Sequence, residues 1–429
     1  MLSESAVRRR FLVLTAIRWL PVGLMIPLIV LLPLSRGLSL SEVGLAASLQ
    51  GFVVLGLELP TGGLADSLGR RRVLLLAGVV GIASTTLVFF AFTPAALAVA
   101  YALQGVYRAL DSGPLEAWYV DASLAAAPGA RIDRGLSAAG VALGTAISVG
   151  ALASGGLIAL GDVAGVSALA VPLLVSLLVQ VAGLAAVAAL MTEVSHGGGL
   201  RAAGRAALDV PRVVTEGFRL LRRSRVLLAI VAVELCWGFG AIAYEGLLPV
   251  RLTEILDDTK AAAVITGPAG SAAWLLSAAG AAATPWLGRR LGMAPTAALL
   301  RVLHGVTVAF MGLLGGVVGV VAAYLACYAV HGASNPAHMT LLHRQVEGPV
   351  RATVVSLNSM LAQPAGALGV LVLTALADQT SASLAMYVAA GVLAVAAPLY
   401  LPAWRQEREE EPLGDPVDVS SGLAASDPA

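Results

Sequence analysis

The chain has 429 residues, of which 58% are hydrophobic and only 12% charged, and its net charge is +1. Soluble domains are about a quarter charged, so this composition excludes an ordinary soluble globular protein, and the near-neutral balance gives no support to a nucleic-acid partner. The two cysteines, Cys236 and Cys327, fall inside apolar stretches and point to neither a disulfide framework nor a metal site.

A bilayer core takes about 20 mostly apolar residues per helical span. Gly, Pro and charge punctuation predict twelve spans, over 11–34, 42–64, 72–93, 95–121, 134–160, 166–191, 225–250, 261–287, 294–315, 318–341, 351–377 and 381–402. None shows the two-residue alternation of a barrel, so the expected fold is an all-α membrane protein. The stretch after Arg8, Arg9 and Arg10 is too long for a signal h-region and lacks a small-residue cleavage site, which makes it the first span rather than a leader.

Arginine sets the expected orientation, because short cytoplasmic loops collect Lys and Arg. One face gathers Arg8–Arg10, Arg70–Arg72, Arg131, Arg134, the arginines of 201–225, Arg289, Arg290, Arg344, Arg351, Arg405 and Arg408; the other holds little beyond Arg36, Arg251 and Lys260. Both termini are therefore expected in the cytoplasm. Heavy Ala, Gly, Val and Arg use with a single lysine, Lys260, suggests a bacterial source and hence the inner membrane.

The polar stretch 192–224, with Gly197–Gly199, divides the spans six and six. Gly69-Arg70-Arg71 recurs as Gly288-Arg289-Arg290, Gly113-Pro114 as Asn335-Pro336, and Arg134 as Arg351. A spacing of about 220 residues implies one duplicated unit. The expected organisation is a six-helix bundle over 1–191, a cytoplasmic loop over 192–224, a second bundle over 225–402 and a disordered tail over 403–429. Two such halves meeting across a midplane cavity is a transporter plan.

Between the second and third spans lies Glu58-Leu-Pro-Thr-Gly62-Gly-Leu-Ala-Asp66-Ser-Leu-Gly69-Arg70-Arg71-Arg72. Gly62 allows close helix contact, Gly69 a tight turn, and Asp66 with Arg70 sets opposite charges at a helix junction. This stretch resembles the cytoplasmic signature of the major facilitator superfamily, Gly-x-Leu-Ala-Asp-x-x-Gly-Arg-Arg. The resemblance implies the major facilitator fold, alternating access between two pseudo-symmetric six-helix bundles, and a conformational latch of Gly62, Asp66, Gly69, Arg70 and Asp121. The second copy has Pro285 where the acid would fall, so the latch belongs to the first half.

An ionisable group inside a bilayer is costly and a functional candidate by default. The fourth span holds Arg108, Asp111, Glu116 and Asp121; Arg108 and Asp111, three apart, can pair on one helix face, while Glu116 lies about 140° from Asp111 on a continuous helix. Arg18 and Glu58 share the depth of Glu116, and Arg18 can pair with either acid. A carboxylate that loses its cation in a dry site takes up a proton, so Glu116 first, then Asp111, with Arg108, Arg18 and Glu58 around them, are the proton-coupling candidates. The family often has a buried arginine for proton transfer in this helix, and Arg108 matches it.

In the seventh span Glu234, Trp237, Tyr244 and Glu245 are the substrate-binding candidates, an acidic and aromatic set suited to amphipathic or cationic compounds. His331 and His338 titrate near neutral pH when unperturbed. No catalytic residue, metal site or cofactor is expected, since the sequence carries no nucleophile elbow, phosphate-cradling loop or ATPase motif.

These readings favour a monomeric, proton-coupled exporter of a hydrophobic drug or metabolite, with the substrate, protons and the lipid bilayer as partners. Uptake of a small polar metabolite and a membrane sensor are the alternatives. Exporters of the superfamily carry Gly-x-x-x-Gly-Pro-x-x-Gly-Gly in the fifth span. Here Ala146–Gly155 has Gly150-Ala151 for Gly-Pro and Ser154 for the first paired Gly, which leaves direction open.

Overall fold

The computed structural model describes residues 3–192, 215, 219, 222, 224–346 and 350–410. The expected 192–224 loop and the tail beyond 410 lie almost wholly outside the described residues, as do the side chains of Gly62 and Asp66. The described chain is helical, and its one bridge, Val163 with Val166, stands alone.

In chain order the helices are α1 (Glu4–Met25), α2 (Leu28–Ser35), α3 (Leu40–Leu68), α4 (Arg70–Phe90), α5 (Pro94–Asp111), α6 (Pro114–Ala126), α7 (Ile132–Ala159) and α8 (Val171–Leu190). They continue with α9 (Arg225–Glu245), α10 (Leu247–Leu256), α11 (Thr259–Leu291), α12 (Met293–Leu313), α13 (Val317–Arg344), α14 (Val350–Gln379), α15 (Ala382–Val395) and α16 (Leu401–Glu410). Among the described residues ten spans are long and apolar enough to cross a membrane, and α1 with α2, bent by 41°, makes an eleventh. The expected fourth span, 95–121, is instead two helices parted at Ser112 and Gly113, with Gly113 at φ +90° and four charges along them. Twelve uniform spans are thus one more than this criterion counts. Leu178, Val318 and Phe90 are each more than 60% exposed, as befits helices solvated by lipid.

Local sequence sets many helix starts. Ser39 accepts from Glu42 N while Glu42 returns a bond to Ser39 N, a capping box opening α3; Thr93, Ser224, Asp258 and Ser381 cap α5, α9, α11 and α15. Each of these side chains satisfies an N–H that the helix itself cannot. Gly69, at φ +94°, joins α3 to α4, and Gly292, at φ +86°, joins α11 to α12. The second-half counterpart of the Gly69 turn is therefore Gly292 and not Gly288, which lies inside α11. Nor does Asn335-Pro336 repeat the break at Gly113: α13 runs straight through Pro336. At the far end α16 reaches Glu410, past the expected boundary at 402, and its Glu407 receives Arg344 Nη1 at 2.6 Å and Ala294 N at 2.9 Å.

Duplication is visible in the packing. Within the first half α1 packs on α7 and α3 on α5; within the second α9 packs on α14 and α11 on α13; between the halves α7 meets α11 and α3 meets α14. Exchanging the halves maps each of these pairs onto another. The two arginines of the arginine-poor face also correspond. Arg36 donates to the carbonyls of Val88, Phe89 and Ala91 at the end of α4, and Arg251 to Leu314 O at the end of α12. Each neutralises the negative end of a helix, which explains why arginine occurs on that face.

The seams between halves are tight where glycine permits. A Cβ at Gly267 of α11 would meet Ala151 O at 2.6 Å and Gly155 N at 2.7 Å, and one at Gly44 of α3 would meet Thr374 Oγ1 at 1.8 Å. These contacts, with Gly51 on Ala367 and Gly155 on Pro268, all lie in the parts of the helices toward the arginine-poor face. Further along the same stripe of α7, a Cβ at Gly144 or Gly140 would meet open space. Among the described residues, small residues thus bring the halves together toward the arginine-poor face. Gly267→Val should force the α7–α11 seam apart and cost about 1–3 kcal/mol by overpacking, seen as a lower thermal midpoint of the purified protein, whereas Gly140→Val should leave the midpoint within a degree or two.

Candidate functional site

The expected proton-coupling residues divide into three environments. Arg18 of α1 donates through Nε to the Asp111 carboxylate and through Nη2 to the Asp111 carbonyl, so it pairs with neither Glu58 nor Glu116. The break at Gly113 frees the Asp111 carbonyl for this bond, and Tyr107 lies beside both groups. Because Asp111 is committed to Arg18, the expected Arg108–Asp111 pair on one helix face does not form, and the 140° separation of Asp111 and Glu116 has no meaning across the break.

Arg108 makes no hydrogen bond to that pair, although its charge is within range of Asp111. It is exposed in the last turn of α5, and it is also within electrostatic range of Glu58 on α3 and of Glu245 on α9, in the opposite half. Glu245 is likewise exposed mid-span. An exposed charge on a membrane-spanning helix calls for water or a partner charge rather than lipid, and Arg108 and Glu245 are in range of each other across the halves. Glu58 falls on the stripe Gly44–Gly51–Glu58 by which α3 approaches α14, and its Oε2 is buried with no hydrogen-bond partner among the described residues. Glu116 is exposed in the first turn of α6, where a carboxylate complements the positive end of the helix.

Of the substrate-binding candidates only Glu245 and, in part, Trp237 are exposed. Tyr244 is 1% exposed, its hydroxyl taking a hydrogen bond from Trp237 Nε1 at 3.0 Å and lying 3.2 Å from His331 Nδ1. Glu234 is buried within the second half, 3.2 Å from His338 Nε2 and 4.0 Å from Arg301 Nη2. Both belong to the core of the bundle and not to a cavity wall. Sequence reading passes over Arg301 and His304 of α12, although both interrupt an apolar run, and over Asn358 and Tyr400, which hydrogen-bond His338 at 3.0 and 2.8 Å.

At the latch position Arg70 Nη1 reaches the Asp121 carboxylate and the Ala117 carbonyl, tying the start of α4 to α6. A second clasp, absent from the sequence reading, closes the arginine-poor face. Asp378 at the end of α14 receives Leu40 N at 3.2 Å, Ser41 N at 3.4 Å and Ser41 Oγ at 2.6 Å. It is a carboxylate seated on the N-terminus of a helix from the other half, which is an anion-binding position.

Two halves built on one plan, joined by one-sided seams around a charged cleft, define a multi-pass membrane transporter. Residues 11–367 match the Major Facilitator Superfamily, and the chain belongs to that family. Among solved structures it is similar to the nucleoside transporter NupG, at TM-score 0.74 and 12% identity over 93% of this chain and 99% of that one. A mutant of that transporter gives TM-score 0.75 and 13% identity over 92% and 99%. A bacterial homologue of the iron transporter ferroportin in an inward-facing state gives TM-score 0.69 and 14% identity over 94% and 99%. No curated protein sequence matches the chain.

Removing the clasp should favour opening of the arginine-poor face. A hydrogen bond to a charged group is worth about 1.5–3 kcal/mol, enough to shift a two-state equilibrium roughly tenfold or more. In a background without Cys236 and Cys327, alkylation of Thr374→Cys by a membrane-impermeant maleimide should accelerate about tenfold on adding Asp378→Asn.

Proposed function

We propose that this chain is a proton-coupled secondary transporter that exports an amphipathic, cationic small molecule by alternating access, as a monomer in a bacterial inner membrane with its arginine-rich face in the cytoplasm. In that orientation the seams and the Asp378 clasp seal the outer face, and the structure corresponds to the inward-open form.

The observation that carries the reading is a set of charges between the halves: among the described residues Arg108, exposed in the last turn of α5, has Glu58 and, from the other half, the exposed Glu245 within electrostatic range. These three leave one negative charge in excess. In a site of low dielectric it is neutralised by a proton on a carboxylate or by a cationic group of the substrate, and the second displaces the first. Mutual exclusion at one carboxylate is the condition for exchange. Glu58, with one carboxylate oxygen lacking a partner, is the proton carrier in this scheme; Glu245, with the partly exposed Trp237 ring, receives the substrate cation. The Arg18–Asp111 pair is internally neutral and holds the break at Gly113 in place, and the Arg70–Asp121 contact stiffens the cytoplasmic ends of α4 and α6.

A second reading, uptake of a polar solute such as a nucleoside, draws on the charged cleft and on the function named for the NupG structures. The two readings separate in proteoliposomes loaded with a pH-sensitive dye. On addition of the lipophilic cation tetraphenylphosphonium, wild-type protein should release protons from an acidic lumen, and Glu58→Gln should slow that flux at least tenfold. Uridine accumulation independent of pH, with no proton movement on adding the cation, would overturn the export reading and favour the second.

A further inference from the structure

The second half holds a group of buried polar side chains away from the cleft. Glu234 (α9), Arg301 (α12), His338 (α13), Asn358 (α14) and Tyr400, just before α16, are each less than a tenth exposed. Around them stand Cys236 and Tyr244 on α9, His304 on α12 and His331 on α13. Arg301 meets Glu234 at only 4.0 Å, while its Nε and Nη1 are buried with no hydrogen-bond partner among the described residues, as are both ring nitrogens of His304. So many polar atoms in a lipid-embedded core are costly, and the Glu234 charge is imperfectly compensated.

His338 is different, because both its nitrogens are engaged. Nδ1 lies 2.8 Å from the Tyr400 hydroxyl; Nε2 lies 3.0 Å from Asn358 Oδ1 and 3.2 Å from Glu234 Oε1. Two acceptors at Nε2 fix its hydrogen there, and the Tyr400 hydroxyl donates to Nδ1. The imidazole is thus an oriented bridge between a hydroxyl and a carboxylate. Tyr400 also lines a cavity of about 460 Å³ with Ala294, Ala298 and Trp404, near the arginine-rich face.

We infer that Glu234 is a second proton-binding site of this transporter, loaded through Tyr400 and His338. A proton arriving at the Tyr400 oxygen releases the hydroxyl hydrogen to His338 Nδ1. The Nε2 hydrogen then passes to Glu234 Oε1, and Glu234 ends as a neutral carboxyl donating to Nε2. One proton enters and one carboxylate is neutralised. Arg301, no longer held by that charge, is freed to change partners, which couples proton occupancy to the polar contact between α12 and α9. The site deepens the proton-coupled reading and rests on it for its use in transport, but its existence is measured without substrate.

The experiment is infrared difference spectroscopy of the full-length protein in lipid, between alkaline and acid pH and after a rapid acid jump. Glu58→Gln should retain a protonated-carboxyl band that Glu234→Gln removes. Tyr400→Phe should preserve the band's amplitude but slow its appearance at least tenfold, and Glu234→Asp should displace the band in frequency, which assigns it even if the Gln variant fails to fold. A spectrum unchanged by Glu234→Asp, or a rate unchanged by Tyr400→Phe, would overturn the proposal. Loss of cation-driven proton flux in Glu58→Gln with this band intact separates the two proton sites.

Discussion

A charge held within a bilayer must find a counter-charge or face water, since leaving it bare costs several kcal/mol even on insertion scales. Much of this molecule is arranged around that constraint. In the first half the α5–α6 break exposes a carbonyl, and Arg18 takes both that carbonyl and the Asp111 carboxylate. In the second half the same constraint gathers Glu234, Arg301 and His338 into the core of the bundle. What remains unpaired within either half, Arg108 with Glu58 and Glu245, sits where the halves face each other, so the water they need defines a cleft.

The seams complete this arrangement. Lipid supplies no hydrophobic drive between helices, so close packing through glycine and hydrogen bonds to backbone hold the halves together. Gly155 and Gly267 admit backbone, and Gly44 the Thr374 side chain, at the arginine-poor side, and Asp378 caps a helix of the opposite half there. Among the described residues, the contacts made through these glycines and through Asp378 lie toward one side. A joint of that kind is suited to opening as a unit.

The fold was legible because lipid imposes it on composition. Apolar runs of span length, the arginine bias and the doubled motif followed directly from that solvent. Helices α9 and α12 illustrate where legibility ended: Tyr244 and Glu234 lie on a helix with two buried sides, and whether a residue faces the other half or the bundle core depends on tertiary rotation that periodicity in an all-apolar run does not encode. Glu116 looked like a membrane-buried acid because the fourth span was read as continuous; one glycine at positive φ turns it into a first-turn residue. Gly292 displaced Gly288 for a similar reason, as the helix outlasted its arginines. Arg301 and His304 were readable as intramembrane polar groups, but the residues beside them, Glu234, Tyr244 and His331, come from α9 and α13. Asp378 signalled nothing in sequence, being an acid at the end of a span whose target is a backbone more than 300 residues earlier.

The central claim is that the two halves meet only toward the arginine-poor face and part toward the other, with the balance set by the charges between them. Pulsed electron resonance on spin-labelled full-length protein in lipid reads this directly, with one label pair at Gly37 and Thr380 and another at Arg131 and Arg290. The account predicts that neutralising Glu58 and Glu245 together changes the two distances in opposite senses, one lengthening as the other shortens. Both distances moving together, or neither moving, would contradict it.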